Sequence, residues 1–374
     1  MAAIDGNRFS QVVVALLPMA SPNAREWGRK LLLFFGTLAL LVVVIDFVLM
    51  RTRYNDQRLL LADVQHRPFL GYVPAEGDPE FNADLLRDAR ESEDFREEDC
   101  NVLFLGDSFV YGPRVFPFEA LPQQLERWAT RKRPGERLRV ANFGWISSSP
   151  YLSRQLLEKI GRDYQPDLVL LAVDVTDPHE DIKYRHYAER EGVHSLLDIA
   201  PSFLLAAKEV AISKGLHEAW FGYPADRLFP VNATLEASRP YMAPMRESID
   251  ALAEVAREEL GARFALLVLP RHYHYSRSES PKDWEAGAYD RDGENRFTFF
   301  AYFDEMRGEV DYPVRSLLPL LRDAPMFPTT FYDDPHWVPA THRYLALGAL
   351  RILEAEGLLC GSKTTTGSEA GPES

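Results

Sequence analysis

Cysteine is nearly missing from this chain: Cys100 and Cys360 are the only two in 374 residues, so neither a multi-bridge scaffold nor a cysteine-rich metal site can be built. Positive charge is also short. Against 56 Asp and Glu stand 42 Lys and Arg, a formal charge of -14, and the only tight basic run is Arg131 to Arg133. Phosphate binding needs clustered cations, so nucleic acid is excluded as a partner and the acidity reads as a solubility feature. Apolar material is plentiful. With 46% hydrophobic side chains the chain can bury a full core, which excludes a disordered protein.

From Leu31 to Met50 the sequence LLLFFGTLALLVVVIDFVLM is an almost unbroken apolar run, matching the ~20 residues a helix needs to cross a bilayer. No small-residue cleavage pattern follows closely and Arg51, Thr52 and Arg53 come next, so the reading is an uncleaved anchor, not a removed signal peptide. Arg25, Arg29 and Lys30 before it are matched by Arg51, Arg53 and Arg58 after it, and the positive-inside rule gives no orientation. Residues 1–30 form an N-terminal segment and residues 51–99 a polar membrane-proximal one. The tail 361–374 has nothing to bury and reads as disordered.

Residues 100–360 alternate apolar, strand-like runs with amphipathic helical stretches. The runs lie at 101–106, 138–144, 167–173 and 263–270, with a weaker one at 312–318. Between them LPQQLERWATRK, PYLSRQLLEKIGRDY and APMRESIDALAEVAREELG carry apolar residues three and four apart. That order predicts an α/β fold: a doubly wound, mostly parallel sheet with helices on both faces. Strands without polar alternation fit a sheet buried on both sides. Residues 178–240 and 271–300 are longer than a crossover requires and read as insertions for substrate recognition.

Three segments at the ends of these elements carry candidate chemistry. Gly106, Asp107 and Ser108 close the first run, where ligands of open α/β sheets collect, although Asp and Ser there also make ordinary helix caps. Asn142, Phe143 and Gly144 close the second; the glycine admits a backbone N–H to an oxyanion or makes a plain turn. Asp333, Asp334, Pro335 and His336 precede the last helix, as a base with its orienting acid or as a helix cap. Taken together, GDSFVYG, NFG and DDPHWVPATHRYLA resemble, in order and placement, three blocks of the SGNH (GDSL-like) hydrolase family.

The resemblance implies a flavodoxin-like fold with Ser108 as nucleophile, His336 as general base and Asp333 as the acid that orients His336. It also implies oxyanion donors from the backbone N–H groups of Ser108 and Gly144. The third block departs from the pattern: VLLAVDVTDPHED puts Asp174 at the family's glycine and Thr176 at its asparagine. One such donor is worth about 2.7–4 kcal/mol, and Thr176 offers only a shorter hydroxyl. Asp107, Asn142, Trp145 and Trp337 are expected beside the substrate. The acidic loop of Asp174, Asp177, His179, Glu180 and Asp181 reads as a solvated face, so no metal and no cofactor is expected.

In a doubly wound fold a last helix running antiparallel to the strands brings Cys360 back to Cys100, so these two are expected to form a disulfide at the edge away from the chemistry. Such a bond suits an oxidising compartment. Membrane-tethered proteins similar to this one act on acyl groups of cell-surface glycans, which implies a serine esterase for acylated, for example acetylated, envelope glycans, facing the periplasm of a bacterial inner membrane. The alternatives are an O-acyltransferase with the same triad, a lipase-like esterase with an apolar trough beside Ser108, and a non-catalytic anchored scaffold.

Overall fold

The computed structural model describes residues 22–50, 80–189, 224 and 226–360. The expected tail 361–374, residues 1–21, residues 51–79 of the membrane-proximal segment and residues 190–223 of the first insertion lie outside the described residues. Helix α1, Pro22–Met50, is a single 29-residue element. At 1.5 Å per residue it is about 43 Å long. Its stretch Glu26–Val44 is long and apolar enough to cross a membrane, and Leu32, Leu33 and Phe34 on it are exposed.

The other described residues build a five-stranded parallel sheet in the order β2-β1-β3-β4-β5. The strands are β1 (Cys100–Gly106), β2 (Leu138–Gly144), β3 (Leu168–Val173), β4 (Arg263–Val268) and β5 (Val314–Ser316). This is a doubly wound order of the flavodoxin type, whose chain reverses direction across the sheet at β1 and β3. Because side chains alternate along a strand, Leu103 and Leu105 of β1 enter one core and Val102 and Phe104 the other. Both layers are buried, and each such side chain contributes about 1.5–3 kcal/mol by leaving water.

Helices α2 (Ser108–Tyr111), α3 (Leu121–Lys132), α4 (Pro150–Ile160), α5 (Asp177–Glu189), α6 (Leu235–Glu254), α7 (Thr298–Met306) and α8 (Leu318–Arg322) precede the short antiparallel pair β6 (Thr330–Phe331) and β7 (Asp334–Trp337). Helix α9, Pro339–Ala355, follows directly and packs with α3 on the Val102 face, while α4 and α6 cover the Leu103 face. Pro339 stands near the start of α9, where a missing N–H costs nothing. Gly357, at a φ of 64°, ends the helix in the left-handed region, and the Leu358 N–H closes the turn on the Leu353 carbonyl at 2.9 Å. That turn carries Cys360 back to the start of β1. There it forms a disulfide with Cys100, with α-carbons 5.7 Å apart.

Candidate active site

Strand β1 delivers Ser108 to the carboxyl edge of the sheet. Asp107 caps the helical turn α2 by accepting the Phe109 N–H at 2.9 Å, and Ser108 is its first residue. The Ser108 N–H therefore has no intrahelical acceptor. Gly144 is a glycine for reasons of space: a Cβ there would stand 2.4 Å from the Tyr111 nitrogen and 2.7 Å from the Val110 carbonyl carbon. The far end of α2 is held by Arg87, which donates to the carbonyls of Tyr111 at 3.1 Å, Gly112, and Val115 at 2.7 Å. A buried guanidinium thus satisfies the orphan acceptors at the end of the turn that begins with Ser108.

The opposite wall is the β6–β7 hairpin. The Glu279 carboxylate accepts the N–H groups of Thr329 at 2.8 Å and Thr330 at 3.2 Å, and the Ser280 hydroxyl contacts the carbonyls of Phe331 at 2.8 Å and Asp334 at 2.9 Å. So held, His336 places Nε2 2.8 Å from Ser108 Oγ, and its Nδ1 lies 2.5 Å from Asp334 Oδ1. An ionised Asp334 fixes the proton on Nδ1 and leaves the Nε2 lone pair for the serine hydroxyl. The Phe109 ring lies 4.9 Å from the His336 ring and 4.7 Å from Trp337.

Several expected placements are corrected by this geometry. The acid on His336 is Asp334, not Asp333: residues 334–337 are a strand, in which side chains two apart share a face, whereas Asp333 lies in the preceding turn. Asp333 instead pairs with Arg114 at 2.8 Å. The Gly144 N–H donates to Asn142 Oδ1 at 3.0 Å, and the Thr176 hydroxyl donates to Asp174 Oδ1 at 2.7 Å, so both protons are engaged. Asn142, Trp145 and Trp337 are buried and pack within the structure, and Asp107 is buried behind Ser108; none lines an open surface. Beside His336 and Asp334 stands Arg114 instead, its guanidinium 4.5 Å from the Phe331 ring centre.

Solved structures similar in part to this chain include ester hydrolases. One is the psychrotrophic esterase EstA from a Pseudoalteromonas species, inhibited by monoethylphosphonate: identity is 12%, the match covers 70% of this chain and 99% of that one, and the TM-score is 0.39. Another is a catalytic mutant of an acetylxylan esterase from Geobacillus stearothermophilus, at 14% identity over 69% of this chain and 95% of that one, with a TM-score of 0.39. No family model and no curated protein matches the sequence.

Two sets of carboxylates behave differently around Ser108. Burial works against ionisation of Asp334, but the His336 hydrogen bond and charge, with help from Arg114, outweigh it and hold the carboxyl down at about 2. Behind the serine, Asp107, Asp174 and Asp177 bring carboxylate oxygens within 4.8 Å of one another. Asp174 stays ionised despite its burial because Arg271 donates to it at 2.7 Å and Thr176 hydrogen-bonds to it. Burial and the neighbouring Asp174 push Asp107 up to about 8, and burial with Asp107 and Asp174 raises Asp177 well above the ordinary carboxylate range. The Asp174 carboxylate is matched by Arg271, which also pairs with Glu285.

Asp334, Arg114, Arg87, Arg271, Glu279 and Ser280 were not singled out by the motif reading. A period-two reading of residues 334–336 as strand would have found Asp334. The arginines have no local signal, since each acts on chain distant in sequence: Arg114 on residues 333–334, Arg271 on Asp174.

Proposed function

We propose that this chain is a serine-dependent ester hydrolase or acyltransferase of the SGNH (GDSL-like) kind, tied to a membrane by α1 and acting on acyl groups of an envelope glycan. The observation that carries this reading is the unbroken relay from Ser108 through His336 to Asp334. Ser108 Oγ attacks the ester carbonyl carbon while its proton moves to His336 Nε2. The imidazolium is stabilised by Asp334, and the oxyanion faces the unpaired Ser108 N–H. Collapse expels the alcohol oxygen, which takes the proton from Nε2 and leaves an acyl-serine. Water, or a sugar hydroxyl in the transferase, then gives its proton to Nε2 as its oxygen bonds the acyl carbon, and the acyl–Oγ bond breaks as that proton passes from Nε2 back to Ser108 Oγ.

The exposed Arg114–Asp333 pair beside Asp334 suits a polar glycan better than a long acyl chain, which needs a continuous apolar trough. The disulfide suits an oxidising compartment such as the periplasm, and the length and apolarity of α1 suit a membrane anchor. Retention of all three relay groups in hydrogen-bonding register weighs against a non-catalytic scaffold. The test is labelling with a fluorophosphonate probe: the parent protein is expected to label, and Ser108→Ala and His336→Ala are not. A parent protein that does not label sinks the reading.

A further inference from the structure

The relay does not end at Asp334. Its Oδ1 is taken by His336, and its Oδ2 faces Arg114 Nη1 at 3.5 Å. The same Nη1 donates to Asp333 at 2.8 Å. Arg114 itself is fixed from below by the Phe331 ring, 4.5 Å from its guanidinium carbon, and from behind by its own backbone, which takes a φ of 64° in the loop that Arg87 grips at Gly112 and Val115. A non-glycine residue in the left-handed region costs about 1–2 kcal/mol, so this conformation is imposed by its surroundings. Arg114 is 43% and Asp333 61% exposed, and no core packing depends on either.

We propose that Arg114 and Asp333 form a charge-compensated couple that positions the free oxygen of Asp334 and sets the proton affinity of His336; the proposal rests on the acyl-transfer reading of the site. Arg114 alone, one step from the imidazole, would disfavour the imidazolium that each acyl-transfer step requires. Asp333 alone would favour it and hold the base protonated. Together they cancel in charge while Arg114 still orients Asp334. Arg114 is therefore a positioning residue, and Asp333 is its counter-ion.

The other groups facing His336 leave the acid side of a pH profile clear. Asp107, behind Ser108, ionises only near pH 8, and Arg271, 5.4 Å from the Phe109 ring, stays charged throughout. His342, on α9, is held down at about 3 by burial and is neutral.

The experiment measures the pH dependence of kcat/KM for p-nitrophenyl acetate with the full-length protein in detergent micelles, alongside Ser108→Ala. Arg114→Gln leaves Asp333 uncompensated, and the acid limb moves to higher pH; Asp333→Asn leaves Arg114 uncompensated, and the limb moves to lower pH. Each shift is about 0.3–1 pH unit and shrinks with added salt. The double variant returns the limb to the parent's position. Limbs that stay put, or that move the same way in both single variants, overturn the couple while leaving the serine mechanism standing. So does a loss of about 10⁴-fold in kcat on Asp333→Asn, because that is the signature of the orienting acid itself. Absence of any Ser108-dependent turnover overturns the couple and the underlying reading together.

Discussion

Arg114 and Arg271 each hold two carboxylates around Ser108, one pair at the water's edge and one shut away from it. Arg114 spans Asp333 and Asp334 on a rim where solvent reaches all three. Arg271 spans Asp174 and Glu285 with every partner buried. At the rim, water pays part of the solvation of each charge, so the groups stay ionised and their influence on His336 can be adjusted at little cost in stability. In the interior the same chemistry is rigid: a charge must be matched or neutralised, and Asp107 and Asp177 are accordingly pushed toward their protonated forms. The difference teaches that residue type says little about role until burial is known.

The sharpest way to break this comparison is at the acid of the relay. Asp334→Asn is expected to lower kcat by about 10⁴-fold by presenting the wrong tautomer of His336, while Asp333→Asn costs less than tenfold, measured side by side on p-nitrophenyl acetate. Equal losses would erase the distinction between rim and relay. Next in size, Arg271→Met strands Asp174 and Glu285 and is expected to cost about 3–5 kcal/mol in urea unfolding, whereas Arg114→Met, on the exposed side, costs under about 1 kcal/mol.

The last effect concerns Asp107. Its folded pKa of about 8 lies above the ordinary 3.8, so the folded state binds the proton more tightly and stability falls as pH rises from about 4 to about 8. Asp107→Asn keeps an N-cap acceptor for Phe109 and removes that titration. The variant is therefore expected to gain thermal stability over the parent at pH 8 more than at pH 5, by scanning calorimetry. An identical gain at both values would mean that Asp107 is ionised in the fold.

Strands β1 to β4 were legible because parallel strands buried on both faces leave continuous apolar runs, and β5, only three residues long and partly exposed, falls in the weaker run at 312–318. The start of α6 was less legible. It begins at Leu235, eight residues before the amphipathic stretch that announces it, and runs through Pro240 and Pro244, which read locally as helix breakers. Tertiary packing of Met242 and Met245 in the core outweighs that local penalty.

Sequence by itself determined the parallel α/β architecture, the apolar helix at the N-terminus and the pairing of Cys100 with Cys360, since these follow from periodicity, hydropathy and strand order; the convergence of Ser108 with His336 was implied only by the resemblance of three short blocks to the SGNH family. Only the tertiary structure decided which of two adjacent aspartates meets the imidazole. That choice depends on whether residues 334–337 run as strand or as helix cap, and the hairpin is held in place by Glu279 and Ser280, more than fifty residues away in the chain. It also decided that the Gly144 N–H and the Thr176 hydroxyl are already engaged, because a hydrogen-bond donor is free or occupied according to the neighbours that folding brings to it.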